Sequence, residues 1–364
     1  MKIIIRADGG KNIGMGHIMR TSVLGEELRK YADVSYLCLN EEEYREGIKY
    51  LKENSYDVLS FYKDEIKDGL KSLDYDCLLV DDYKVDKEFF NSIKSKGTFI
   101  GYFDDNKEEE YPVDFIINQN PYAQDLNYKK DNYLGVFLGS KYALLRKEFR
   151  DLPPFHVRNE IKDIMVTLGG SDINRITEKI VVSLLDTMPD TVFHVVIGPA
   201  FPKGIMENIN DNRLKKYYNP KMSKLMLNCD LAISSCGSTL YELAACGTPT
   251  LGIVVADNQI LAAKKLNELG IIESSKIEEI PQKVVKMTYE KRVEMSAKAR
   301  KLVDGLGAER LAKELISSIK NCRRVWQSER RFFALWTTVA WWWWYRCGYR
   351  SIKKWLSNNR TCYW

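Results

Sequence analysis

Ile3-Ile4-Ile5-Arg6-Ala7-Asp8-Gly9-Gly10-Lys11-Asn12-Ile13-Gly14-Met15-Gly16-His17 is the stretch on which the reading of the fold turns. The three isoleucines read as a buried strand, and a helical pattern through Met19, Leu24, Leu28 and Tyr31 follows. The glycines therefore fall in a strand-to-helix loop with a histidine at its exit. Free N–H groups at a helix start attract anions, and glycines such as Gly14 and Gly16 let a ligand come close to the backbone. An imidazole beside an anion site is a candidate general base, which makes His17 the first residue to follow. Spacing alone is a weak warrant, because many Gly-x-Gly loops only turn the chain.

Outward from this loop, apolar runs alternate with helical stretches. Strands are expected over Lys2–Arg6, Asp33–Leu39, Cys77–Val80, Thr98–Phe103 and Phe115–Asn118. A polar segment around Leu152-Pro153-Pro154 reads as a linker, and the pattern resumes with Ile164–Leu168, Val192–Ile197, Asp230–Ser234 and Thr250–Val254. Such alternation predicts an α/β chain of two Rossmann-like, doubly wound domains facing a central cleft. The expected limits are 1–150 for the first domain, 151–320 for the second, and 321–364 for a tail. Ligands in such sheets bind at the carboxyl ends of the strands.

The tail breaks the pattern. All eight tryptophans lie from Trp326 onward, including Trp341 to Trp344 in succession. Residues 321–364 carry nine Lys/Arg against one Asp/Glu, so the overall charge of +5 conceals a body of net −3. That body has no nucleic-acid signature. The tail reads as the out-of-frame or truncated remnant of an extension, ahead of a role on an anionic membrane surface. No secretory signal is visible at the amino terminus, the eight cysteines form no Cys-x-x-Cys pair, and only three histidines are present. These features predict a cytoplasmic protein with free thiols and neither a zinc site nor a disulfide framework.

In the second half, Ser235-Cys236-Gly237-Ser238-Thr239 repeats the strand–loop–helix design, and its hydroxyls and N–H groups suit a diphosphate. Glu242 has two readings: partner of Thr239 in a capping box, or acceptor of hydrogen bonds from ribose hydroxyls. Gly169-Gly170-Ser171-Asp172, with Asn174 beyond, reads as a turn plus a helix cap, as does Asp257-Asn258-Gln259. Asp81-Asp82 and Asp104-Asp105 end two strands of the first half. Neighbours in a strand point to opposite faces, so neither pair is expected to act as a dyad, although one carboxylate is placed to bond His17. Tyr83, immediately after, reads as a half-buried loop aromatic, and Arg6 and Asp8 as residues that shape the loop.

Two segments carry a family resemblance. IRADGGKNIGMGHIMR (residues 5–20) resembles the amino-terminal signature of the UDP-2,4-diacetamido-2,4,6-trideoxy-β-L-altropyranose hydrolases of pseudaminic acid biosynthesis. ISSCGSTLYELAACGTPTLGIVVADNQ (Ile233 to Gln259) resembles their second signature, and more distantly the nucleotide-binding half of the transferase that adds N-acetylglucosamine to a lipid-linked cell-wall precursor. The resemblance spans residues 1 to about 320 and implies a glycosyltransferase-B type architecture. It implies that Gly169, Gly170, Gly237, Ser238, Thr239 and Glu242 hold the nucleotide, with Glu242 on the ribose and Tyr217 to Met222 near the uracil edge. It places Tyr83, Asn174, Asn258 and Gln259 on the sugar and makes His17 the base for an attacking water. Hydrolysis at the anomeric carbon then gives free sugar and UDP. Some members are fused to an acetyltransferase-like domain, which is not identifiable here. No metal or cofactor is expected, and the partners are the UDP-sugar and water, with the chain a monomer. A glycosyltransferase on the same scaffold and a noncatalytic nucleotide-sugar binding module are the rival readings.

Overall fold

The structure, a computed structural model, describes residues 1–10, 13–95 and 97–325. Its first seven strands are β1 (Lys2–Ala7), β2 (Asp33–Leu39), β3 (Asp57–Phe61), β4 (Cys77–Asp81), β5 (Phe99–Phe103), β6 (Phe115–Asn118) and β7 (Gly135–Leu138). They form one parallel sheet in the order β3-β2-β1-β4-β5-β6-β7. A second parallel sheet, ordered β10-β9-β8-β11-β12-β13, contains β8 (Asp163–Thr167), β9 (Val192–Ile197), β10 (Leu214–Tyr218), β11 (Leu231–Ser235), β12 (Thr250–Ile253) and β13 (Ile272–Ser274). In each sheet the chain runs outward from its first strand, then reverses to lay its fourth strand on the other side of the first. This is the doubly wound Rossmann order, present twice.

The four strands that the sequence reading leaves out, β3, β7, β10 and β13, are the four sheet edges. Central strands such as β4, β5 and β6 are buried along their whole length and so read as unbroken apolar runs. Edge strands need only one apolar face. β10 is Leu-Lys-Lys-Tyr-Tyr, no residue of it is buried, and β13 has three residues.

Each sheet has its own core. Ile4, Leu78, Val80, Ile100 and Ile116 pack with Phe90 in the first half. In the second half Ile164, Val166, Ile233 and Leu251 cover one side, and Met165, Ala232, Leu243 and Leu266 the other. The segment expected as a linker is tied down by Arg300, which donates to the carbonyls of Leu152 (3.0 Å) and Pro153 (2.6 Å). The helix that begins at residue 307 returns to the first half: a Cβ on Gly307 would lie 2.3 Å from the carbonyl oxygen of Ala143, so only glycine fits there. Cys38, Cys77, Cys229, Cys236 and Cys246 are buried free thiols. Met1–Lys313 form one compact unit and a second unit begins at Glu314, of which residues 314–325 are helical. The Trp-rich stretch, with its remnant and membrane-surface readings, lies outside the described residues. No helix among the described residues is long and apolar enough to cross a membrane.

Candidate active site

In both sheets the strand order reverses between two neighbours, β1 and β4 in the first, β8 and β11 in the second. The loops leaving those strands flank the crevices where ligands of open α/β sheets bind.

In the first crevice, His17 is the second residue of the Gly16–Leu28 helix, and Asp81 is the last residue of β4. The imidazole Nδ1 lies 2.6 Å from Asp81 Oδ1. Arg20, one turn after His17, grips the same carboxylate through Nε (2.6 Å) and a terminal nitrogen (2.5 Å). Burial pushes the Asp81 carboxyl up, but the Arg20 guanidinium and the His17 bond outweigh it and hold it well below the usual carboxylate range. An ionised carboxylate only accepts, so Nδ1 carries a proton and donates it, and in the neutral imidazole Nε2 is then the lone pair. Arg20 also donates to Asp105 Oδ2 at 2.7 Å, where the Tyr83 hydroxyl donates at 2.6 Å. The Tyr83 ring meets His17 edge to face, 4.6 Å between centroids. The alternation expected of the two carboxylate pairs is visible. Asp81 and Asp105 serve this network, whereas Asp82 accepts from Arg6 and Asp104 from Tyr128.

The glycines of the opening loop divide into two groups. A Cβ on Gly10 would fall 1.8 Å from the carbonyl oxygen of Glu43, and Gly9 accepts from the Gly47 N–H at 3.0 Å. Gly10 therefore serves close packing against the Glu42–Tyr44 turn and Gly9 against the Arg45–Glu53 helix that follows it. Gly14 and Gly16 face open space. Arg6 and Asp8 are buried and paired at 2.6 Å, and Asp8 accepts from the Leu39 N–H, so they shape the loop as expected.

In the second crevice, Gly237 and Ser238 precede the Thr239–Cys246 helix. Among the described residues no backbone acceptor takes up the N–H groups of Gly237 or Ser238. The capping-box reading of Glu242 does not hold: no side chain caps this helix. Glu242 Oε1 instead accepts from Arg146 at 2.9 Å, and Arg146 also pairs with Glu148 at 3.0 Å. Burial raises the Glu242 carboxyl above the ordinary range, and Arg146 only partly offsets this. A Cβ on Gly198, at the end of β9, would lie 2.5 Å from the carbonyl oxygens of Gly169 and Gly170, so close backbone packing shapes this wall. Asp172, rather than Asn174, caps the Ile176–Leu185 helix, accepting from the Ile176 and Thr177 N–H groups at 2.8 Å. Gln259 Oε1 accepts from the Val255 N–H at 3.1 Å, and no side chain caps the helix that follows it.

The two crevices open onto one cleft of about 1240 Å³, roomy for a nucleotide sugar. Its walls include His17, Tyr83, Gly16, Gly169, Gly170, Gly237, Ser238, Thr239, Glu242, Asn258 and Gln259; Gly14 and Asn174 are not among its lining residues. Among the described residues no group of three or more His, Cys, Asp or Glu is placed to hold a metal ion. The sequence reading passes over Arg20, Asn120, Tyr241 and Arg146. Arg20 had a local signal, since i,i+3 spacing puts it on the face of His17. The others come from three separate places in the chain.

No protein-family model matches the chain. The UDP-2,4-diacetamido-2,4,6-trideoxy-β-L-altropyranose hydrolase of Campylobacter jejuni is 30% identical over 280 residues, 74% of this chain and 97% of that one. The Helicobacter pylori protein named as both pseudaminic acid cytidylyltransferase and the same hydrolase is 29% identical over 252 residues, 66% of this chain and 45% of that one. The chain thus spans about half the length of two curated relatives it matches, 45% of the Helicobacter protein and 56% of an uncharacterized Methanocaldococcus jannaschii protein. Among solved structures, an Arabidopsis thaliana protein complexed with UDP superposes with a TM-score of 0.62 at 10% identity, covering 87% of this chain and 99% of that one. At that identity the likeness concerns the fold alone, which is of glycosyltransferase-B type.

Proposed function

Because this chain belongs to the UDP-2,4-diacetamido-2,4,6-trideoxy-β-L-altropyranose hydrolase family, we propose that it hydrolyses a UDP-linked diacetamido-trideoxy hexose at the anomeric carbon, in pseudaminic acid biosynthesis. The observation that carries this reading is the His17–Asp81 pair. With Nδ1 donating to Asp81, the neutral imidazole keeps Nε2 as acceptor in a cleft whose other wall includes the start of the Thr239–Cys246 helix. The second half holds UDP through Gly169, Gly170, Gly237, Ser238, Thr239 and Glu242. Tyr83, Asn258 and Gln259 face the sugar, with Gly16 at the floor of the loop. Water attacks the anomeric carbon, its proton passes to His17 Nε2, and the bond from that carbon to the diphosphate oxygen breaks. UDP departs as an anion, whose charge the N–H groups at the start of the Thr239–Cys246 helix stabilise, an effect often worth about 3 kcal/mol of barrier. Nothing in this sequence of events calls for a cofactor.

The test is turnover of the UDP-sugar in oxygen-18 water without any acceptor, for wild type and His17→Ala. Label on the free sugar, lost in the variant, is the expected result. Label on UDP would place the break at phosphorus and end this mechanism. UDP binding without release would leave the glycosyltransferase or the binding module.

A further inference from the structure

The Thr239–Cys246 helix carries one side chain across to the first half. Tyr241 stands between Thr239 and Glu242, is 6% exposed, and its hydroxyl lies 3.0 Å from Asn120 Oδ1. Asn120 follows β6 and donates through Nδ2 to Asp105 Oδ1 at 2.9 Å. The direction of each bond is forced. A carboxylate accepts only, so the amide turns its nitrogen to Asp105, and the oxygen left over requires a donor. Tyr241 is that donor, and burial, with the Asp105 charge behind it, keeps its hydroxyl protonated. From Asp105 two routes reach His17, one through Arg20 and Asp81, the other through Tyr83.

We propose that Tyr241 and Asn120 are positioning residues that couple nucleotide binding on the second half to the setting of His17 on the first. A nucleotide engaging Thr239 and Glu242 fixes the turn that carries Tyr241, and the hydrogen-bonded chain carries that placement to the imidazole. The hydroxyl has no packing purpose, since a phenyl ring fills the same space, and buried hydroxyls persist where their bond matters. Asp81 from β4 and Tyr83 from the loop after it touch the His17 ring, and Arg20 from its own helix and Asp105 from the loop after β5 hold those two. All of them belong to this chain of bonds. The inference rests on His17 as the base of the proposed reaction.

Tyr241→Phe removes one oxygen and keeps the ring. Its kcat is expected to fall about tenfold, the size of one lost hydrogen bond, with KM changed less than threefold. Asn120→Ala should fall similarly, and the double variant no further than either single one. The direct readout is the nitrogen-15 imidazole signal of His17, assigned among three histidines with His17→Ala. UDP should move that signal in wild type and leave it unmoved in Tyr241→Phe. A UDP response as large in Tyr241→Phe as in wild type, or additive losses in the double variant, would overturn the coupling. The signal is read without turnover, so a wild type that binds UDP and does not hydrolyse the sugar would end the proposed function while leaving this test intact.

Discussion

The two crevices have the same strand order and opposite chemistry. Around β1 and β4, charged side chains are tied to one another: His17, Asp81, Arg20, Asp105 and Tyr83 form a closed set of bonds with little freedom. Around β8 and β11, the cleft surface is backbone and small polar groups, with glycines at 169, 170 and 237 and N–H groups at the helix start that no backbone acceptor takes up among the described residues. On the proposed function, one scaffold thus offers a pre-set proton acceptor on one side and an anion cradle on the other. The comparison teaches that the topological switch point supplies the location, while side chains or their absence decide the task.

Removing the charged half's anchor should do the most damage. Asp81→Asn leaves Arg20 without its main partner, and we expect a loss of about 3 kcal/mol in unfolding free energy and about a hundredfold in kcat. The sign with pH follows from the depressed Asp81 carboxyl. Its stabilisation is complete above the unfolded-state value of about 3.9 and is lost as pH falls through the lower folded-state value. Denaturant titrations should therefore show wild type exceeding Asp81→Asn at neutral pH, with the gap closing only in strong acid. A constant gap down to pH 2 would contradict the ion-pair account.

The glycine half should respond in binding alone. A Cβ at Gly237 meets nothing closer than Gln259 Nε2 at 3.8 Å, so Gly237→Ala should fold with unchanged stability. The methyl group would occupy the space into which the N–H groups point, and UDP affinity measured by calorimetry should fall about tenfold, or about 1.4 kcal/mol. Unchanged affinity would remove the anion cradle from this loop.

The smallest effect sharpens the comparison, because Glu242 is a charged group on the glycine-lined wall, paired with Arg146. Its carboxyl is already raised by burial and drawn down by Arg146. As a ribose acceptor it works ionised, so UDP affinity should weaken as pH drops through that raised value. Arg146→Gln removes the lowering partner and should move this loss to higher pH, by about threefold in affinity under mildly acid conditions. A shift in the opposite direction would show that Arg146, not Glu242, meets the ligand.

Legibility follows burial and chain distance. Fully buried central strands announce themselves by composition, and the loops after β1, β4, β8 and β11 stand out because glycine, Asp and Ser interrupt apolar runs. Edge strands such as β10 hide because one face is solvated. Sequence leaves Glu242 with two readings because Thr239-x-x-Glu242 is locally adequate for a cap, and only the structure, with no cap bond and the distant Arg146 as partner, tells against that one. Asn174 looked like a cap or a ligand group, yet Asp172 takes the cap two residues earlier.

By itself, the sequence determined two doubly wound halves, the loops that end their strands, and His17 as a candidate base, because periodicity and loop composition are local properties. Tertiary structure alone decided that β4 lies beside β1, across the sequence of two intervening strands, and so which of four aspartates meets His17. It likewise decided that Tyr241, 121 residues from Asn120, closes the path between the halves. Strand order and cleft closure are set by the burial of whole faces, and no local pattern encodes which distant residues those faces bring together.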